Sequence, residues 1–285
     1  MHPSRREFLQ LSGFGLGGLI LGKAPNLGKT GKGMLYDASK CVGCRACQMA
    51  CKIWNTLPSE STDAEGIYES PRHLSGDTWT MIKLAEQGDV WSFANYQCMH
   101  CAQASCVSVC PTGAAAHTGE FVLIDQHWCI GCGYCVQACP FNVPHRSESS
   151  GTARKCTFCF DRVSVGDQPA CADACPTGAL TWGERDELLV KGKERVEVLR
   201  VSGFGDAHLY GERELGGLGR LSVLTLPLEA YGLPQSPRYA TGNVALQWLS
   251  GIVTAAIVAV VPFWLLQRRQ AAAQRREETA GGRER

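Results

Sequence analysis

CIGCGYCVQACP, residues Cys129 to Pro140, sets three cysteines at intervals of three, then a fourth four residues on with proline behind it. Thiolates at this spacing hold [4Fe–4S] cubanes: the first three grip one cluster and the fourth reaches across to another. One such run therefore implies a partner run. All sixteen cysteines fall into four groups of four. They are Cys41, Cys44, Cys47, Cys51; Cys98, Cys101, Cys106, Cys110; Cys129, Cys132, Cys135, Cys139; and Cys156, Cys159, Cys171, Cys175. Each group closes with a cysteine four residues after its third, and Pro111, Pro140 and Pro176 follow three of the closures, Lys52 the first. CPTGA recurs at Cys110–Ala114 and Cys175–Ala179, the mark of a duplicated unit. Sixteen thiolates saturate four cubane clusters.

Disulfides are the first alternative for an even cysteine count, but that expectation belongs to short chains without a core. This chain has 285 residues and is 45% hydrophobic. Structural zinc also uses paired cysteines, yet it gives no reason for the third cysteine of each run or for the proline. A zinc-stabilised, non-redox scaffold is the reading from a different class. The charges balance at 28 basic against 27 acidic residues, and nothing points to nucleic acid. Four bound clusters with their thiolates would move the formal net charge from +1 to about −7.

Residues 1–30 read as a leader. Ser4-Arg5-Arg6-Glu7-Phe8-Leu9 ahead of the uncharged run Phe8–Gly22 forms a twin-arginine export signal, a route that carries folded, cluster-loaded cargo. Residues 31–182 are the cluster-bearing body. There Met34–Ser39 and Phe121–Asp125 are expected as strands leading into cysteine groups. Thr78–Leu84 and Val90–Tyr96 are expected to form a hairpin turning at Glu86–Asp89. Trp54, Trp79, Trp91, Phe93 and Tyr96 read as packing residues. His100, between Cys98 and Cys101, reads as a hydrogen bonder to sulfur or solvent rather than a ligand, and His117, His127 and His145 have no ligand spacing. Arg45, Lys52, Arg154 and Lys155 flank ligands, as solvated residues or as charges that raise a cluster's potential.

Residues 183–240 carry no cysteine and read as an irregular wrapping segment with a helix over Glu184–Glu197 and a strand near Val223–Leu228. In the segment 241–267, Val244–Leu266 is uncharged, long enough to cross a bilayer. Arg268, Arg269, Arg275 and Arg276 follow it, against Arg238 alone in the preceding fifteen residues, so tail 268–285 is expected in the cytoplasm and the cluster body on the outer side. The fold class expected is α+β: two ferredoxin-like dicluster modules plus one C-terminal transmembrane helix.

CVGCRACQMACKIWN from Cys41, GIYESPRHLSGDTWTMIKL from Gly66, CMHC at Cys98, CIGCGYCVQACPFNVP from Cys129 and KCTFCFDRVSVGDQPAC from Lys155 carry a family likeness. Over about Tyr36 to Leu266 the chain resembles the iron–sulfur (beta) subunit of membrane-bound respiratory formate dehydrogenases. The wider family takes in beta subunits of other molybdopterin oxidoreductases and of membrane hydrogenases. The resemblance implies pairing of the first group with the fourth and the second with the third. Cys41, Cys44, Cys47 and Cys175 would then hold one cluster, and Cys51, Cys156, Cys159 and Cys171 another. Cys98, Cys101, Cys106 and Cys139 would hold a third, and Cys110, Cys129, Cys132 and Cys135 the fourth. It implies electron transfer without catalysis by this chain. The partners would be a molybdopterin catalytic alpha subunit that oxidises formate, and a membrane cytochrome b gamma subunit that reduces quinone in anaerobic respiration. The chain departs from the family in carrying its own Arg5-Arg6 signal. Beta subunits of certain membrane hydrogenases carry such a signal together with a C-terminal anchor, so a nickel–iron hydrogenase's large and small subunits are the alternative partners.

Overall fold

The computed structural model describes residues 31–60, 70–242 and 244–281; residues 1–30, where a twin-arginine leader is expected, lie outside them. In chain order, β1 (Lys32–Asp37) leads into the first cysteine group and α1 (Ala46–Trp54) carries that group's last two members. The hairpin β2 (Met81–Gln87) and β3 (Val90–Tyr96) follows, then α2 (Ser105–Ser108), β4 (Ala115–Thr118) and β5 (Phe121–Ile124). After α3 (Tyr134–Ala138) come the two-residue strands β6 (His145–Arg146) and β7 (Ala153–Arg154), then α4 (Phe160–Val163) and α5 (Ala170–Asp173). The chain continues through β8 (Leu180–Glu184), α6 (Arg185–Val201), β9 (His208–Tyr210), β10 (Arg220–Leu224) and α7 (Val244–Gly281). The mixture fits the α+β class.

Residues 183–240 are not an irregular wrapping. A four-stranded sheet runs in the order β8-β1-β10-β9, so two of its strands come from that segment. β1 pairs antiparallel with β8, Met34 opposite Trp182, and parallel with β10, Leu35 opposite Leu221. The pleat sends alternate residues to opposite faces. Leu35, Leu221 and Val223 meet Leu188, Val196 and Leu199 of α6 on one face, while Met34, Tyr36 and Leu224 join the main core on the other. Asp186 and Glu187 in the first turn of α6 and Arg200 in its last complement the helix dipole. Gly192 lets α6 lie close to the sheet, because a Cβ there would stand 2.8 Å from Leu209 Cδ1. Truncating Leu188 at this seam would cost about 2–4 kcal/mol.

The expected hairpin is present with its first strand starting later: Met81 faces Tyr96 and Gln87 faces Val90, around Gly88 at φ +60°. Trp79, Phe93 and Tyr96 pack on the core as expected, whereas Trp54 and Trp91 are exposed.

One local device occurs twice. β1 enters the first cysteine group and pairs antiparallel with β8, which leaves the fourth; β5 enters the third group and pairs antiparallel with β4, which leaves the second. Asp37 N–H donates to Ala179 O at 2.8 Å, and Asp125 N–H donates to Ala114 O at 2.8 Å. Each aspartate also caps the turn into its group, accepting from Ser39 N at 3.0 Å and from His127 N at 2.8 Å. Gly43 and Gly131, one residue before the second cysteine of each group, sit at φ +69° and +67°. The CPTGA repeat is thus the sequence trace of a duplicated backbone.

The chain divides after Ala240 into two units. The second contains α7, which runs through Pro262. Among the described residues, one stretch, Trp248–Arg269, is long and apolar enough to cross a membrane, with mean hydropathy 2.3.

Candidate iron–sulfur centres

All sixteen cysteines are free thiols, and they collect into four sets that draw on different parts of the chain. Cys51, Cys156, Cys159 and Cys171 line one cavity, joined by Asn55 and Pro169. Cys98, Cys101, Cys106 and Cys139 line a second, with Lys155 in its wall. Cys110, Cys129, Cys132 and Cys135 line a third. Around Cys47, the thiols that act on it most strongly are those of Cys41, Cys175 and Cys44. In each set three cysteines of one group are joined by one from its partner group.

Local backbone explains the convergence. Arg45 and Gly133 hold left-handed conformations (φ 60° and 81°) just before α1 and α3, turning the CxxC loop back so that the following helix presents its thiols to the same point. A Cβ at Gly131 would meet Gly151 O at 2.1 Å, which leaves glycine as the residue that fits there. In the second and fourth groups the turn falls on His100 and Phe158 (φ 45° and 56°), whose rings stack on each other with centroids 3.8 Å apart.

Burial and crowding make these thiols poor acids by themselves. Burial, then the thiols of Cys41, Cys175 and Cys44, push Cys47 up to about 12. Burial likewise pushes Cys106 to about 12, with Lys155 opposing, and Cys156 to about 12, with the Cys98 thiol adding to it. Four thiolates in a dry pocket repel one another and lack water, so the anionic form that ligation requires needs a cationic core at the centre of each set. N–H donors already await that negative charge. Ala115 N and Leu180 N reach Cys110 Sγ and Cys175 Sγ at 3.4 Å each, again one pair of the duplicated device. Ala153 N reaches Cys129 Sγ at 3.3 Å and Phe158 N reaches Cys156 Sγ at 3.4 Å. At Cys110, burial is outweighed by the Ala115 N–H and the Thr112 hydroxyl, and the thiol is held below its ordinary value.

The donor set separates iron–sulfur from zinc. A tetrahedral zinc ion draws its ligands to about 2.0–2.3 Å. Among the described residues no three Cys, His, Asp or Glu side chains converge for a single ion, although four thiols line each pocket. Four thiols lining one pocket fit a polynuclear core. Its chemistry would be one-electron transfer at a potential set by surrounding hydrogen bonds, charge and burial.

Solvent reaches the sets unequally. Cys44 and Cys132, equivalent second cysteines in the duplicated device, are exposed, whereas Cys51, Cys156, Cys159 and Cys171 are all buried. His100 is fully buried and is a structural hydrogen bonder: its Nδ1 accepts from Val122 N at 3.1 Å. Of the flanking cations, Arg45 donates to Ser70 O at 3.0 Å, Lys52 to Pro58 O and Asp77 O at 2.8 and 2.9 Å, and Arg154 lies 3.6 Å from the Asp77 carboxylate. They tie the cysteine runs to the 58–77 segment. Lys155 is buried, and Arg220, which sequence reasoning passed over because it opens a five-residue strand in a segment without cysteines, is buried with it.

Comparison with known proteins agrees with this chemistry. Residues 40–114 and 89–185 each match a 4Fe-4S dicluster domain, and such domains together with sixteen cysteines fit four [4Fe–4S] clusters. The chain is 38% identical over 216 residues to the formate dehydrogenase, nitrate-inducible, iron–sulfur subunit of Escherichia coli K12, covering 73% of this chain and 74% of the relative. It is 37% identical to the thiosulfate reductase electron transfer subunit PhsB of Salmonella typhi, over 66% of this chain and 95% of that one. It is 30% identical to the hydrogenase-2 operon protein HybA of E. coli O157:H7, over 84% of this chain and 86% of the relative. By its duplicated cluster loops and by these likenesses, the chain belongs to the family of iron–sulfur subunits that includes those of formate dehydrogenase.

Proposed function

We propose that this chain is the electron-transfer subunit of a membrane-bound formate dehydrogenase, carrying electrons from a molybdopterin catalytic subunit to a membrane cytochrome b and quinone. The observation that supports it most is the gathering of every cysteine into four sets of four, at family-level similarity to formate dehydrogenase iron–sulfur subunits. In this reading Cys41, Cys44, Cys47 and Cys175 hold the first cluster and Cys51, Cys156, Cys159 and Cys171 the second. Cys98, Cys101, Cys106 and Cys139 hold the third, and Cys110, Cys129, Cys132 and Cys135 the fourth.

The same sets imply an order along the wire. The first and second draw on α1 and on the Cys171–Cys175 loop together, and the third and fourth share the runs ending at Cys110 and Cys139. The second meets the third where the Cys98 thiol acts on Cys156. Exposed Cys44 and Cys132 then stand at opposite ends, where electrons enter and leave. With every thiol committed to a cluster, the chain's own residues exclude water, donate hydrogen bonds to sulfur and supply charge; formate chemistry belongs to the partner.

In the same reading the apolar stretch up to Leu266 crosses the cytoplasmic membrane, Arg268, Arg269, Arg275 and Arg276 after it stay in the cytoplasm, and the Arg5-Arg6 signal exports the cluster body. A second reading, service to a nickel–iron hydrogenase, is favoured by one finding: the likeness to HybA covers 84% of this chain, against 73% for the formate dehydrogenase relative. Affinity purification of the full chain from anaerobic membranes separates the two. A molybdenum- or tungsten-pterin protein in the complex supports the first; a nickel–iron large subunit replaces it by the second.

A further inference from the structure

A charged side chain in a dry interior needs a counter-charge or a complete set of hydrogen bonds, and one left without either costs several kcal/mol. Arg220 and Lys155 are 1% and 3% exposed. Among the described residues neither forms an ion pair with a carboxylate. Arg220 Nη2 donates to Asn95 O at 2.7 Å, Nη1 lies 3.7 Å from Met99 Sδ, the guanidinium stands 5.3 Å from the Tyr36 ring centre, and Nε is buried without an acceptor. Lys155 Nζ donates to the carbonyls of Val122 and Cys156 and stands in the wall of the Cys98, Cys101, Cys106, Cys139 cavity.

After Tyr36, the groups whose charge bears on Arg220 are the thiols of Cys171, Cys156 and Cys47; on Lys155 they are those of Cys98, Cys106 and Cys156. Lys155 stands in the wall of the third set, whose lining also includes Met99, the thioether that Arg220 Nη1 approaches; Asn95, whose carbonyl Arg220 holds, places its Nδ2 4.0 Å from Cys47 Sγ; and both cations act on Cys156 of the deeply buried second set. The other cations beside ligands, Arg45, Lys52 and Arg154, are only half-buried, and Arg154 lies 3.6 Å from the Asp77 carboxylate.

We propose that Arg220 and Lys155 are the fixed counter-charges of the two interior clusters, and that they hold those clusters easier to reduce than burial alone would leave them. The inference rests on the four-cluster reading above. A cubane that accepts one electron gains one unit of negative charge with no ion leaving, and a site that excludes water opposes that gain. A guanidinium that stays protonated at every working pH, lodged beside the cluster, offsets the opposition. Electrons arriving at an exposed end then meet no steep rise at the middle of the wire.

The test is an EPR-monitored redox titration of the full chain, anaerobically purified, as wild type, Arg220→Met, Arg220→Lys, Lys155→Met and Lys155→Arg, with iron and sulfide counted in each. The account expects each methionine variant to shift one cubane signal to lower potential. The reduced-to-oxidised ratio at fixed poise should fall at least tenfold, equivalent to about 59 mV for one electron. The charge-keeping variants should stay within threefold of wild type. Loss of iron from a methionine variant but not from its charge-keeping partner also supports the proposal, since the charge would then be what retains the cluster. Equal iron loss from both, or full iron with potentials unmoved in the methionine variants, overturns it. Wild-type protein without iron would instead sink the four-cluster reading, so the two failures are distinguishable.

Discussion

The two copies of the duplicated device are alike in backbone and opposite in connection. In one, β4 and β5 are neighbours in the chain, Thr118 facing Phe121, and the second and third cysteine groups follow one another directly. In the other, β1 and β8 meet across most of the cluster body, Tyr36 facing Leu180, and the partnered groups lie at its two ends. The local copy closes with a two-residue turn and little loop entropy. The distant copy must be held by structure outside the device, namely the parallel strand β10 and the helix α6 behind it. The same ligand geometry is thus reached once by a short hairpin and once by a sheet that spans the sequence.

Substitution of paired cysteines probes that comparison with the largest effect. Cys47→Ala and Cys175→Ala, from opposite ends of the distant copy, should each remove about four of about sixteen iron per chain, and the double variant should remove no more than either alone. Cys47→Ala with Cys139→Ala should remove about eight. Iron analysis giving additive loss for the first pair would break the proposed sets.

Truncation after Tyr239 should release the cluster body from washed membranes with its visible iron–sulfur absorption intact, provided Trp248–Arg269 is its main hold on the bilayer. Retention in the membrane fraction would show that the body is held by other contacts.

Two glycines sharpen the comparison at smaller scale. Gly131→Ala drives a Cβ to 2.1 Å from Gly151 O, so a loss of about 3 kcal/mol or more is expected. Gly113→Ala meets open space and carries only the cost of φ +72°, about 1 kcal/mol. Thermal melts of the loaded protein should rank them in that order. The smallest effect compares the two equivalent aspartates. Asp37 is buried, caps Ser39 and pairs with Arg195 at 3.0 Å, whereas Asp125 is exposed and caps His127 alone. Asp37→Ala should cost about 2 kcal/mol and Asp125→Ala about 0.5 kcal/mol. Equal losses would mean that burial does not distinguish the copies.

Legibility in the sequence followed the same division. Cysteine spacing, the CPTGA repeat and the β2–β3 hairpin are local signals, and each could be read directly, the hairpin to within a few residues. The role of residues 183–240 could not. β10 reads RLSVL, a strand of five residues that the fold buries on both faces, and its partner β1 lies far back in the chain. Nothing near β10 announces a sheet, so the sequence alone suggests wrapping, with a strand beginning at Val223, three residues after β10 starts. Arg220 escaped for the same reason: a cation at the start of an apolar strand looks like a solvated end until the fold buries it. His100 bonds the Val122 backbone N–H and not sulfur or solvent as its sequence position suggests, and its stacking on Phe158 depends on the meeting of the two copies and has no local signature.

Iron and acid-labile sulfide counted in anaerobically purified full-length chain test the central claim most directly. The account predicts about sixteen of each per polypeptide. Zinc in place of iron, or iron without matching sulfide, would contradict it.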